Sequence, residues 1–340
     1  MKLNRNRFCI VLVNICCLAV CSFSFYRLFF FNDFGNKSLF DINASASNGY
    51  EEYAVFSPAS GEKTETAQKS IPANSDSVVL GKVLEKYISP YTANTSYKNI
   101  YLKNSTDLNV DIKSLFESNL SFNLKDNSAP QVLIINTHAT ESYLLQEKNF
   151  YDERDKSRTT DNTHNMIAIG EIVANKLNSN GINTIHDKTQ HDYPSYNESY
   201  SRAAKTIISN LNKHPSIKVV IDLHRDSIST ADNDKIKLTK VINGKKAAQI
   251  MLVMGSQSGN TKNFPNYKEN LKLATKIQSK IEEKYKGLAR SISLMPKNYN
   301  ESLTTGSVLI EIGTDANTFE EAAYSAELLG NALSALFKEL

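Results

Sequence analysis

Gln131-Val132-Leu133-Ile134-Ile135-Asn136 runs straight into Thr137-His138-Ala139-Thr140-Glu141-Ser142. A short apolar run with no polar alternation reads as a strand buried on both faces, the type found in parallel sheets. Downstream of it, Met166, Ile169, Val173 and Leu177 fall on one helical face. That helix ends at Gly181, a residue suited to the left-handed position after a helix. Residues 182–185 read as the next strand. The unit then repeats: a helix over about 198–212 stops before Pro215, and the strand 217–223 (IKVVIDL) follows. A strand at 249–254 (QIMLVM), a helix over about 267–285 closed by Gly287, and a last strand at 308–312 complete the series, with Thr318-x-x-Glu321 as a capping box for a terminal helix. Strands spaced by helices of this length predict an α/β three-layer sandwich with a mostly parallel central sheet.

Upstream of residue 126 the pattern is different. Lys2, Arg5 and Arg7 precede an uncharged run from Phe8 to Tyr26, and Arg27 is followed by Leu28-Phe29-Phe30-Phe31. Such a stretch is long enough to cross a bilayer, and its positive start predicts a cytoplasmic N-terminus with the remainder exported. A cleaved signal peptide is the competing reading; the only small-x-small candidate is Ser22-Phe23-Ser24, with aromatic residues continuing past it, which favours an uncleaved anchor over residues 1–31. Residues 32–125 are rich in Asn, Ser, Thr and Lys and are expected to form a polar spacer. Two amphipathic pieces of helical spacing interrupt it, at Val78-Val79-x-x-x-Val83-Leu84-x-x-Tyr87-Ile88 and around Ile112, Leu115 and Phe116. The domain of interest then occupies residues 126–340.

All four cysteines, Cys9, Cys16, Cys17 and Cys21, lie in the apolar run. The rest of the chain has neither thiol nor disulfide, so a cysteine nucleophile is excluded there and any metal site must be built from histidine and carboxylate. No Gly-x-Ser-x-Gly elbow is present, which argues against a serine hydrolase. Without the basic residues of 1–31 the chain is nearly neutral, and nothing in it suggests a nucleic-acid partner.

Ligands in open α/β sheets gather at the carboxyl ends of the strands. His138, His224 and Glu311 all stand at or just past such ends. A histidine and a carboxylate three residues apart, His138 and Glu141, can hold two corners of a zinc tetrahedron from one loop. His224, from a distant strand, can hold a third and leave the fourth open for water. Asp161, near the start of the following helix, is the rival to Glu141. Glu311, in Leu309-Ile310-Glu311-Ile312-Gly313, is a carboxylate in an apolar strand; beside a cation its burial is compensated and it can serve as general base. Asp222 shares a strand face with His224 and suits an orienting partner for the imidazole, while Asp226 can pair with Arg225. Each histidine taken singly is as well read as a hydrogen-bonded structural residue. Their common placement on one rim is what favours ligation. Arg290 is a candidate for a substrate carboxylate or developing oxyanion, and the polar, aromatic segment from His186 to Asn197, with His191, Tyr193 and Asn197, is a candidate substrate groove.

Several of these stretches occur together in a known family. Asn136-Thr137-His138-Ala139-Thr140-Glu141-Ser142-Tyr143, His186-Asp187 through Tyr200-Ser201-Arg202, Val220-Ile221-Asp222-Leu223-His224-Arg225-Asp226, Glu269-Asn270, Gly287-Leu288-Ala289-Arg290, Tyr299-Asn300 and Leu309–Gly313 with Asn317-Thr318-x-Glu320-Glu321-Ala322 follow in an order that resembles the stage II sporulation protein P family of spore-forming Firmicutes, over residues from about 130 to 335. The resemblance implies a membrane-anchored peptidoglycan hydrolase of sporulation, similar to the zinc N-acetylmuramoyl-L-alanine amidases, with both amidase and stem-peptide endopeptidase activity. It implies action in engulfment on the mother-cell side of the septum, and a partner, the lytic transglycosylase stage II sporulation protein D. Carried over by motif, His138, Glu141 and His224 would hold zinc and Glu311 would be the catalytic acid/base, with Arg202 in the groove. Tyr267 and Ser227 depart from the family's usual Trp and Ala, which touches the groove rather than the metal. A non-catalytic wall-binding scaffold and a carboxypeptidase-type zinc peptidase are the alternative readings.

Overall fold

The computed structural model describes residues 78–124 and 128–340. Among these, strands β1 (Val79–Lys86), β2 (Thr95–Tyr97) and β3 (Ile100–Asn104) precede a short helix α1 (Ile112–Glu117). Then come β4 (Val132–Ile135), β5 (Phe150–Asp152), α2 (Met166–Ser179), β6 (Thr184–His186), α3 (Ser199–Lys213) and β7 (Val219–Asp226). The series closes with β8 (Lys235–Ile242), β9 (Lys245–Ala248), β10 (Ile250–Gly255), α4 (Tyr267–Lys284), β11 (Ile292–Met295), β12 (Ser307–Thr314) and α5 (Phe319–Phe337).

The main sheet has eight strands in the order β2-β3-β11-β10-β12-β7-β4-β6. Its pairs are parallel except β2 with β3 and β10 with β12, so the mostly parallel sheet expected from the sequence is present. Both faces are covered. Even-numbered residues of β4, β10 and β12 and odd ones of β7, among them Ile134, Ile221, Leu252 and Ile310, pack with α2, α4 and α5 in one large core. On the other face Leu133, Ile135 and Val220 meet Ala203 and Ile207 of α3. This second layer is smaller, and it leaves Asp222, His224 and Glu311, which share its face by strand alternation, next to α3 rather than under it.

The helix ends follow the local chemistry. Asn165 caps α2 through its side chain, and Gly181 beyond its far end has φ +83°. Thr318 and Glu321 form the reciprocal capping box at the start of α5. Glu321 also accepts from the buried Lys237 of β8, which pairs further with Glu147. Gly313 sits at φ +63°, where an added Cβ would meet Ala248 Cβ at 2.7 Å. It lies in a register shift of β12 between Glu311 and Thr314, a bulge of the kind that re-aims neighbouring side chains.

Residues 79–104 differ from expectation. The piece at 78–88 forms β1, not a helix: it pairs in parallel with β8 and antiparallel with β5, in a four-stranded sheet ordered β5-β1-β8-β9. Gln249 then takes up both backbone groups of Ile88, accepting from its N–H at 2.8 Å and donating to its carbonyl at 3.0 Å. β2 and β3 add an edge to the main sheet, with Ile100 and Leu102 fully buried. The folded unit therefore begins well before residue 126, and only α1 among the elements of 78–124 matches a helix expected there. The hairpin β8–β9, the strand β11 and the antiparallel setting of β10 were likewise not foreseen. The expected membrane anchor lies outside the described residues; among those described, no helix is long and apolar enough to cross a membrane.

Because Leu102 belongs to the core, Leu102→Ala is expected to lower stability by about 2–5 kcal/mol, read as a shift of the chemical denaturation midpoint. A residue in a detached spacer would give no shift.

Candidate active site

Three parallel strands carry the site. β4 pairs with β7, Ile135 opposite Asp222, and β7 pairs with β12, His224 opposite Glu311. Beyond β4 the chain turns, with the Glu141 N–H donating to the His138 carbonyl at 3.2 Å, and so presents His138 and Glu141 together. The rings of His138 and His224 stand edge to face with centroids 5.2 Å apart. Two imidazoles sharing one zinc at tetrahedral angles, with bonds of about 2.0–2.1 Å, would have roughly this separation.

Asp222 joins the two histidine-bearing segments. Its Oδ1 accepts from the Thr137 N–H at 2.8 Å and its Oδ2 from the Thr137 hydroxyl at 2.6 Å. The same Oδ1 lies 3.0 Å from His224 Nε2, close enough for an ion pair but out of line for a hydrogen bond. His224 Nδ1 faces Glu141 Oε2 at 3.6 Å. Burial alone would lower the pKa of His224, but Asp222 and Glu141 outweigh it and lift the imidazole to about 10. His138 is governed by burial, which pushes it down to about 4 despite Glu141. Burial raises Glu311 well above the usual carboxylate range, with Asp226 adding to the effect and Arg290 and His224 opposing it.

The donor set suits a divalent cation. His138 Nδ1, His224 Nε2 and Glu311 Oε2 are buried without hydrogen-bond partners, and carboxylates from Glu141, Asp222, Asp226 and Glu311 surround two imidazoles. Among the described residues, though, no three histidine, cysteine, aspartate or glutamate side chains close into a ready-made metal cluster. Glu141 shows why. One of its oxygens meets Arg158 Nη2 at 3.4 Å and the other accepts from the Arg225 N–H at 3.3 Å. Although burial opposes it, Arg225 and His224 hold this carboxyl below its usual range.

Other candidates are placed differently. Asp161 is exposed, bonded to Thr163 and paired with His164 at 3.1 Å, and none of these contacts reaches the two central histidines. Asp226 pairs with Arg290 at 2.7 Å, not with the Arg225 side chain, and both partners are buried. Arg225 instead donates to the Ser142 and Ser157 carbonyls, tying the 142–157 loop to β7. His191 is buried between the Asn136 carbonyl at 3.0 Å and the Thr206 hydroxyl at 2.9 Å, and Arg202 donates to the His191 and Ser195 carbonyls. Those two staple the loop before α3. Tyr193 and Asn197 are exposed in that loop.

Of the further residues at the site, Tyr196 and Asp192 belong to the segment read from the sequence as a substrate groove, whereas Arg158 and Tyr200 were not singled out there. Tyr196 stacks on His138 with centroids 4.5 Å apart, and the Arg158 guanidinium lies over the Tyr196 ring, 4.7 Å from its centroid. Arg158 also binds the buried Asp192 at 2.6 Å. Tyr200, in the first turn of α3, is edge-on to His138 at 5.5 Å and parallel to His224 at 6.4 Å.

The chain matches the family described as Stage II sporulation protein P (SpoIIP) over residues 47–334. The chain belongs to the stage II sporulation protein P family. A curated member from Bacillus subtilis (strain 168), "Stage II sporulation protein P", is 29% identical over 220 residues, covering 62% of this chain and 50% of that protein. The chain thus spans about half the length of the curated relative it matches. Among solved structures, the N-acetylmuramoyl-L-alanine amidase AmiC2 of Nostoc punctiforme is 14% identical, with TM-score 0.35, over 62% of this chain and 96% of that one. The CwlD amidase from Clostridioides difficile, solved in complex with the GerS lipoprotein, is 14% identical, with TM-score 0.37, over 62% and 97%.

Arg290→Met is expected to cost about 3–5 kcal/mol of stability, because it strands the buried Asp226 charge. Chemical denaturation measures it. Unchanged stability with a raised KM would instead support a substrate-binding role for Arg290.

Proposed function

We propose that this chain is a zinc-dependent peptidoglycan hydrolase that cleaves the amide between N-acetylmuramic acid and L-alanine, with endopeptidase activity on stem peptides, in engulfment during sporulation. Membership of the sporulation family supports it, and the observation that carries the chemistry is the pair His138 and His224, edge to face at 5.2 Å, each with a buried ring nitrogen that makes no hydrogen bond, and a buried Glu311 alongside. His138, His224 and Glu141 would hold the metal. Glu141 would do so by turning from Arg158, a partner only 3.4 Å away through one guanidinium nitrogen. When bound, zinc supplies an electrophile that polarises the amide carbonyl and makes water acidic near neutral pH.

Glu311 is the proton carrier. Its burial and raised pKa suit a group that must both accept and return a proton. It takes one from the attacking water as the new C–O bond forms at the amide carbon. It then delivers that proton to the departing nitrogen as the C–N bond breaks, so that the products are a free lactyl carboxyl on the sugar and a free amine on the peptide. Asp222 holds His224 and the Thr137 backbone in place, a supporting role of the kind that tunes metal ligands. The Tyr196 ring and the exposed Tyr193 offer apolar contact to the substrate at the rim. An N-terminal membrane anchor, an extracytoplasmic location and partnership with stage II sporulation protein D complete the proposal.

Glu311→Gln is expected to lower kcat on purified cell wall by about 10²–10⁴-fold with little change in KM, whereas full activity would refute the proton-transfer role. Chelation is expected to abolish activity, and zinc to restore it. Mass spectrometry of the released muropeptides separates the readings: an amidase leaves a free lactyl carboxyl, an endopeptidase cuts within the peptide, and a scaffold releases nothing.

A further inference from the structure

His186 ends β6 away from the groove, its side chain 3% exposed, in a motif that the hydrolytic centre does not use. Its Nδ1 faces Glu171 Oε2 at 3.1 Å and its Nε2 faces Asn136 Oδ1 at 3.1 Å. The Asn136 amide cannot be turned over, because its Nδ2 donates to the Leu223 carbonyl at 2.9 Å. Both ring nitrogens therefore meet oxygen acceptors, and both contacts are hydrogen bonds only when the imidazole carries two protons. Asn136 lies two residues before His138, and Leu223 immediately precedes His224.

The surroundings are shaped for this arrangement. Gly170 stands within α2, where glycine is disfavoured relative to alanine. A Cβ there would lie 2.6 Å from His186 Nε2 and 3.2 Å from Asn136 Oδ1. The charged groups facing the ring are Glu171 of α2, Lys188, which shares Glu171 Oε2 at 2.9 Å, and Asp187.

We propose that His186 is a positioning residue: doubly protonated, it bonds Glu171 and Asn136 together, and through the Asn136 amide it holds the end of β4 against Leu223, setting His138 in place beside His224. The inference rests on those two histidines forming the hydrolytic centre. Burial lowers the pKa of His186, with Glu171 pulling the other way, so the second proton leaves below the ordinary imidazole value. The neutral ring keeps its Nδ1 proton on the Glu171 anion, where the bond is charge-assisted. Nε2 then turns a lone pair toward the Asn136 oxygen, and the clamp on Leu223 loosens. The site is thus held most firmly in mildly acidic conditions.

Glu171→Gln separates this from a merely structural role. A glutamine amide can donate to Nδ1, which leaves a neutral ring free to keep its proton on Nε2 and the bond to Asn136. Long-range nitrogen–proton correlation spectroscopy of the histidines, in the metal-free full chain, follows this over about pH 5 to 8. In the wild type His186 is expected to lose its Nε2 proton, and the ring signals of His138 and His224 are expected to shift in step with that loss. Glu171→Gln is expected to keep the proton and to show no such shift. Gly170→Ala is expected to show the displaced signals at every pH. On the neutral side of the step, zinc affinity is expected to be about tenfold tighter in Glu171→Gln than in the wild type, in line with outer-shell effects on metal sites. A His186 that holds one tautomer throughout, or a step that leaves the His138 and His224 signals unmoved, overturns the proposal. The spectra need neither metal nor substrate, so failure of the wild type to digest cell wall would count against the hydrolase reading alone.

Discussion

Asp222 brings a negative charge into a strand whose eight residues are all buried. An isolated carboxylate in that position would cost several kcal/mol, and it is tolerated only because every side of it is answered. Thr137 gives it two hydrogen bonds and His224 gives it an imidazole at 3.0 Å. Since Thr137 adjoins His138, this one carboxylate fixes the segment after β4 relative to the side chain of β7. The parallel pairing of β4 with β7 brings the two strands together, and Asp222 decides how their ends meet.

The same economy runs through the rest of the centre. Five acidic side chains, Glu141, Asp192, Asp222, Asp226 and Glu311, crowd around two histidines. Arg158, Arg225 and Arg290 hold most of that charge in balance, yet not symmetrically. Arg290 is committed to Asp226 at 2.7 Å, while Arg158 meets Glu141 only loosely and Asp192 firmly. The carboxylate best able to turn toward a cation is therefore the one in the loop with His138. Glu311, which forms no ion pair among the described residues, is left with a pKa raised by its burial.

Rigidity and access are divided between the two faces of the main sheet. Three helices bury one face in a continuous core, and α3 covers part of the other. The exposed rim is supplied by the loop ahead of α3, whose Tyr196 leans on His138 while His191 and Arg202 anchor the loop from behind. Residues of one polar, aromatic segment thus have opposite duties. Composition could not separate them, because a histidine that bonds a backbone carbonyl and one that awaits a ligand have the same pattern in the chain.

The alternation of apolar runs and amphipathic helices from Gln131 onward was enough to read the α/β sandwich, the caps at Gly181 and Thr318, and the convergence of His138, His224 and Glu311 on one rim. These are local properties: burial on both faces and helical periodicity are written into consecutive residues. The 78–88 piece was not legible in this way, since its helical spacing is overridden by backbone pairing with β8, a partner about 150 residues away. The Asn243-Gly244 turn of the β8–β9 hairpin, with both residues at positive φ, was a local signal that passed unread. Only the tertiary structure decided that Asp161 stays outside, that Arg290 is spent on Asp226, and that His186 supports the centre from beneath, because each depends on which distant side chain arrives first within hydrogen-bonding distance.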